Sequence, residues 1–161
     1  MLGRALAGVL IIMAGGFTAA AAGGTAAAAA PAQACAVSTV IEITSFAFSP
    51  PAVTPGNSST ATLTALNCTD QTQQTSETWS GRFTGPSSSG IPAGCPAIDP
   101  IAFGVTFPPD GTASRSVGYL VPASCTASEL VVTADIHGTN GNLLAAGTAT
   151  LQIVHDTPPQ S

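Results

Sequence analysis

Lysine is absent from this 161-residue chain, and charge of either sign is scarce, with three arginines and eight carboxylates. Both methionines (Met1, Met13) and one arginine (Arg4) fall within the first 34 residues. Residues 35–161 therefore contain no methionine and set eight carboxylates against Arg82 and Arg115, a formal charge of −6. With no basic stripe to displace phosphate counterions, nucleic acid is not an expected partner. A sandwich copper site built on Cys, two His and Met is excluded by the missing methionine. One Trp and one Tyr are too few rings for an exposed aromatic sugar platform. Low charge here does not mean disorder, because Val, Ile, Leu, Ala and Thr are abundant and can build a core.

Residues 1–34 have the layout of a secretory signal peptide: Arg4, an apolar stretch from Leu6 to Phe17, then small residues. The apolar core is short for a membrane span. Ala30-Pro31-Ala32 and Ala32-Gln33-Ala34 both offer small-residue cleavage patterns. Cleavage after Ala34 makes Cys35 the first residue of the exported chain. Ala32 and Gln33 fit a lipobox poorly, and a lipidated Cys35 leaves three cysteines, an odd set in an oxidising compartment. Two disulfides are the simpler account of Cys35, Cys68, Cys95 and Cys125. The expected organisation is a signal peptide (1–34), one domain (35–156) and a flexible tail (157–161). The alanine-rich leader and missing lysine point to a bacterial source. The expected location is extracellular, released or loosely wall-associated, with no stable membrane insertion after cleavage.

Strand patterns recur at short spacing, and no segment beyond the leader has helical period. Val40 to Thr44 alternates, and Phe46 and Phe48 continue its buried face after a one-residue slip that predicts a bulge. Pro50, Pro51, Pro55 and Gly56 interrupt it. Thr60 to Ala65 alternates cleanly. In Thr75 to Phe83, residues Trp79, Gly81 and Phe83 share one face, with Trp79 expected in the core. Ile101 to Phe107 and Thr112 to Val121 flank the turn Pro108-Pro109-Asp110-Gly111. Glu129 to His137 places Leu130, Val132, Ala134 and Ile136 inward, and Asn140-Gly141 predicts a tight hairpin with positive φ at both residues. Asn142 to Val154 closes the domain. The expected class is all-β, a seven-stranded antiparallel immunoglobulin-like sandwich with two disulfides.

The run Phe48-Ser49-Pro50, Val53-Thr54-Pro55-Gly56, Thr60-Ala61-Thr62-Leu63 resembles the opening of secreted bacterial immunoglobulin-like modules. In a reading with successive strands reversed in direction, Cys35 and Cys68 fall at one end and Cys95 and Cys125 at the other. That predicts the pairs Cys35–Cys68 and Cys95–Cys125.

Chemistry is thin. Only His137 and His155 can act as neutral-pH bases, and neither accompanies a nucleophile motif. Asp135 with His137, and His155 with Asp156, read as polar residues near strand ends rather than metal ligands. No carboxylate spacing singles out a glycosidase pair. The sequons Asn57-Ser58-Ser59 and Asn67-Cys68-Thr69 are ordinary in a Ser/Thr-rich chain. The expectation is no enzyme, no cofactor and no metal.

The segment Gly90-Ile91-Pro92-Ala93-Gly94-Cys95-Pro96-Ala97-Ile98-Asp99-Pro100 lies in a long loop (84–100) and is the candidate binding loop, through Pro92, Cys95, Pro96, Ala97, Ile98 and Asp99. Cys95-Pro96-Ala97-Ile98-Asp99-Pro100 resembles the reactive-site stretch of the bacterial subtilisin-inhibitor family, a likeness that runs weakly to Gly111. That resemblance implies a protease inhibitor offering the Ala97–Ile98 bond. The composition is also similar to that of the enediyne-chromophore apoproteins, which implies a small-molecule carrier. The main reading is a non-enzymatic binding or structural module whose partner is an extracellular protein or cell-wall component.

Overall fold

The computed structural model describes residues 35, 36, 38–85 and 90–155. The chain divides into two units, 1–33 and 34–161, and every described residue belongs to the second. The expected signal peptide and tail lie outside the described residues.

Eight strands form, with no helix among the described residues: β1 (Ile41–Ser49), β2 (Ala52–Val53), β3 (Ser58–Asn67), β4 (Gln73–Thr84), β5 (Ile101–Phe107), β6 (Thr112–Leu120), β7 (Glu129–Gly138) and β8 (Leu143–Ile153). They make a three-stranded sheet, β1-β3-β6, and a five-stranded sheet, β2-β8-β7-β4-β5. The expected count of seven is corrected to eight, and the expected purely antiparallel pairing to a mixed sheet. The cause is local. Pro50 and Pro51 cannot donate ladder hydrogen bonds and end β1, after which Ala52–Val53 joins the other sheet parallel to β8. Val53 is buried there, and its carbonyl accepts from Val154 N at 2.9 Å.

Period-two patterning explains the remaining strands. Ala61, Leu63 and Ala65 of β3 face Leu130, Val132, Ala134 and Ile136 of β7 across the core, all at most 1% exposed. Trp79 and Phe107 are the largest fully buried side chains, and Phe46 meets the indole edge-on at 5.0 Å. The slip in β1 is a bulge at Thr44, between Ile43 and Ser45, where Thr44 Oγ1 donates to Thr64 O. Leaving β2 aside, strand direction alternates along the chain, but neighbours within a sheet are mostly not consecutive. The chain crosses between sheets after β1, β2, β3, β5 and β6.

Both disulfides pair as expected, Cys35–Cys68 at one end and Cys95–Cys125 at the other. The β7–β8 hairpin differs. Gly141 alone takes positive φ (79°), its N–H donates to Gly138 O, and the register slips between Ile136 and His137. This is a three-residue loop with a left-handed glycine rather than a two-residue turn, so Asn140 needs no positive φ. No helix among the described residues is long and apolar enough to cross a membrane.

Candidate functional site

β4 outruns its partner on one side. It pairs with β7 as far as Thr84↔Glu129, but with β5 only to Trp79↔Ile101. The proline-rich loop returns along the margin left at residues 80–84. Its prolines and glycines forbid regular structure, so side-chain anchors and a bridge must hold it.

Three such ties are present. Cys95 is bonded to Cys125, which is 1% exposed. The Ala93 carbonyl accepts from Thr126 N at 3.0 Å and from Thr126 Oγ1 at 3.2 Å, while Cys95 N closes a turn onto Pro92 O. Gly94, at φ +71°, lies so close to the Ser124 carbonyl that a side chain there would clash with it. The third tie is Ile98. It packs against the core over Gly81, where an added Cβ would come 2.9 Å from Ile98 Cδ1.

The other candidate residues divide accordingly. Pro92 is half-buried and lies over Gly85, whereas Pro96, Ala97 and Asp99 are exposed. Between loop and strand runs a groove of about 340 Å³, walled by Gly81, Arg82, Phe83, Ile91, Pro96 and Ile98 among others. Ile91 stands 56% exposed at its rim. Arg82 forms no ion pair among the described residues, so the groove pairs apolar walls with one uncommitted cation.

The histidines are far apart. His137 is the penultimate residue of β7, while His155 follows β8 at the other end of the domain and bonds Ala127 O at 2.7 Å. Roughly ten residues, about 33 Å, separate them along the sheet. Asp156 lies outside the described residues. Among the described residues no Ser or Thr hydroxyl hydrogen-bonds either histidine. Cys35, Glu42 and Cys68 lie close enough to hold an ion, but both thiols are spent in the disulfide. Glu42 instead accepts from Ala36 N at 2.9 Å.

Two buried polar residues escape the sequence patterns. Glu77 is 2% exposed, takes the indole N–H of Trp79 on Oε1 and faces Arg115. Its place was readable in principle, two residues before Trp79 and so on the same inward face. Asn67 is fully buried and is the terminal inward position of β3. Its amide is committed to structure: Nδ2 donates to Gln71 O (2.7 Å) and Pro108 O (2.8 Å), and Oδ1 accepts from Thr69 N and Oγ1.

No family model matches the chain, and no curated protein matches it by sequence. Solved structures do resemble it in fold. One is the Pseudomonas fluorescens alkylpurine DNA glycosylase AlkC bound to DNA containing an abasic site analog, at 12% identity and TM-score 0.51, covering 73% of this chain and 31% of that one. A second is a Paenibacillus cycloisomaltooligosaccharide glucanotransferase complexed with cycloisomaltoheptaose, at 14% identity and TM-score 0.51, covering 71% and 14%. A third is Bacillus subtilis sporulation control protein Spo0M, at 13% identity and TM-score 0.49, covering 73% and 50%. The chain thus spans half or less of each of these proteins. The likeness is one of fold, a two-sheet β-sandwich.

Proposed function

We propose that this chain is a non-enzymatic extracellular binding module of immunoglobulin-like type, which contacts a protein or cell-wall partner through the groove between loop 90–98 and the end of β4. The observation that carries the reading is the anchoring of that loop. Disulfide, carbonyl bonds and Ile98 fix it, yet it leaves an open apolar groove with Ile91 exposed at the rim. A preformed groove spends little ordering entropy on binding. The strand order supports the immunoglobulin-like part, since leaving β2 aside, strands one, two and five face three, four, six and seven. Two disulfides fit an oxidising compartment.

The same anchoring weighs against the protease-inhibitor reading. A scissile bond at Ala97–Ile98 needs both flanking side chains presented outward, whereas Ile98 is turned toward Gly81. A carrier reading would have to use a surface cleft rather than the interior, because Trp79 and Phe107 fill the described core.

The test is affinity capture from culture medium on immobilised wild type, on Ile91→Asp and on Leu120→Asp, which alters an exposed residue of β6. The partner is expected on wild type and Leu120→Asp and lost from Ile91→Asp. Equal capture on all three, stoichiometric titration of a subtilisin-like protease, or hydrolysis abolished by one Ser or Asp substitution would each overturn the reading.

A further inference from the structure

We propose that the opposite end of the sandwich carries a second binding site, for a neutral hydroxyl-rich ligand of the oligosaccharide class. Between the turn joining β3 to β4 and the β7–β8 hairpin lies a cleft of about 550 Å³, within the size range of small-ligand sites. Its floor is apolar, from Val40 and Leu144, and its walls are amides and hydroxyls: Thr72, Gln73, Gln74, Thr139, Asn140 and Asn142. No ionisable side chain is among its described lining. A phosphate or carboxylate ligand would find no counter-charge there.

The hydrogen-bonding groups are sorted by bonds already made. Gln73 commits Nε2 to Thr69 Oγ1 at 3.0 Å, which leaves Oε1 as an acceptor. Gln74 takes Thr106 Oγ1 on Oε1 at 2.9 Å, which leaves Nε2 as a donor. Asn140 accepts Asn142 N on Oδ1 at 3.3 Å, which leaves Nδ2 as a donor. The Asn142 side-chain amide has no hydrogen-bond partner among the described residues and offers both kinds of group. A sugar hydroxyl both donates and accepts, so neighbouring hydroxyls match a set of fixed donors and acceptors better than any single-function ligand does.

The walls are also fixed in advance. Asn67 holds Thr69 through two bonds, and Thr69 in turn holds Gln73. Gly138 lets the hairpin amides close over the backbone: a Cβ there would come 2.5 Å from Asn142 Oδ1 and 3.2 Å from Asn140 Oδ1. With Val40 and Leu144 in place of an aromatic ring, affinity for a short oligosaccharide should be weak, on the order of millimolar.

The experiment is a two-dimensional amide NMR titration of the exported chain with neutral gluco-, manno-, galacto-, xylo- and N-acetylglucosamine hexasaccharides, and separately with heparin and polygalacturonate. At least one neutral sugar is expected to move Gln73, Gln74, Asn140 and Asn142 while Ile91 and Ile98 stay still. Asn142→Leu should abolish the shifts, and Gly138→Ala should weaken them several-fold, with the rest of the spectrum unchanged in both. Sedimentation with purified cell walls distinguishes a wall-borne glycan from a free one, since only the former pulls the protein down. No response to any neutral sugar, an undiminished response in both Asn142→Leu and Gln73→Leu, or a preference for the anionic polymers overturns the proposal. Because the two sites occupy opposite ends, failure here does not count against the loop groove, nor the reverse.

Discussion

Arg115, on the inner face of β6, reaches across to Glu77 of the opposite sheet, with Nε 3.8 Å from Oε2. Its guanidinium lies 4.2 Å from the centre of the Phe103 ring. Glu77 is 2% exposed at the side chain and Arg115 33%. The Arg115 Nε is buried without a hydrogen-bond partner, so the pair is held by charge and packing more than by hydrogen bonding.

Breaking this pair one member at a time should cost more than removing both. Glu77→Ala, which also strands the indole N–H of Trp79, should lose about 3 kcal/mol. Glu77→Gln keeps an acceptor for the indole and should lose about 1 kcal/mol. Arg115→Met should lose about 2 kcal/mol by leaving the carboxylate uncompensated. The double variant Glu77→Gln/Arg115→Met, which removes both charges but keeps an acceptor for the indole, should return to within about 1 kcal/mol of wild type. Urea midpoints for wild type, Glu77→Gln, Arg115→Met and their double variant complete the cycle, and simple additivity would refute the coupling.

The two left-handed glycines of the loop should respond very differently to alanine. Gly90, at φ +94°, has no described residue within 4 Å of an added Cβ, so Gly90→Ala should cost only the conformational penalty of about 1 kcal/mol. Gly94→Ala adds the clash with the Ser124 carbonyl beside Cys125 and should lose more than about 3 kcal/mol. Thermal unfolding under non-reducing conditions separates them.

Asn67 should tolerate neither removal nor loss of its donors. Asn67→Ala unpairs the Gln71 and Pro108 carbonyls, a loss of about 2–3 kcal/mol. Asn67→Asp places an acceptor against those two acceptors and should be at least as damaging. Faster hydrogen exchange at the Thr69 amide, which donates to Asn67 Oδ1, would locate the effect at this turn.

Tyr119 is the only tyrosine, packs edge-on against Phe48, and burial raises its phenol above the ordinary value of 10.0. The folded state therefore holds the phenolic proton more tightly than the unfolded state. That contribution is complete below pH 10 and is lost as pH rises through the folded value. Phenolate absorbance should titrate with a midpoint above 10, moving to 10 in urea. Tyr119→Phe should flatten the alkaline fall in stability.

Much of the fold was legible because alternation carries it. Leu130, Val132, Ala134 and Ile136 declare a buried face without any knowledge of neighbours, and so do Ala61 and Leu63. The bulge at Thr44 was visible because Phe46 and Phe48 sit one residue out of phase. Strand direction sufficed to pair the cysteines, even though sheet neighbours are not sequential. Two-residue β2 was not legible, since no periodicity exists in two residues and its pairing with Gln152 and Ile153 is entirely long-range. Arg115, and the pairing that makes the inward place of Glu77 tolerable, were hidden for a different reason. Charge marks a residue as exposed by default, and only the partner from the other sheet makes its burial tolerable. The loop anchors follow the same rule: the prolines around Cys95 announce a corner, but nothing local says that Ile98 lies over Gly81.

The chain that leaves β1 at Pro50 and resumes as β2 ties the two sheets along one margin, and the turn from β5 to β6 ties them along the other. Both margins are therefore hinged by the chain itself. Between β5 and β6 there is no hydrogen-bonded ladder, so beyond that turn Arg115 is the clasp that reaches from one sheet to the other. Stress that parts the sheets along this margin will therefore be resisted at the 108–111 turn first and at Arg115 next.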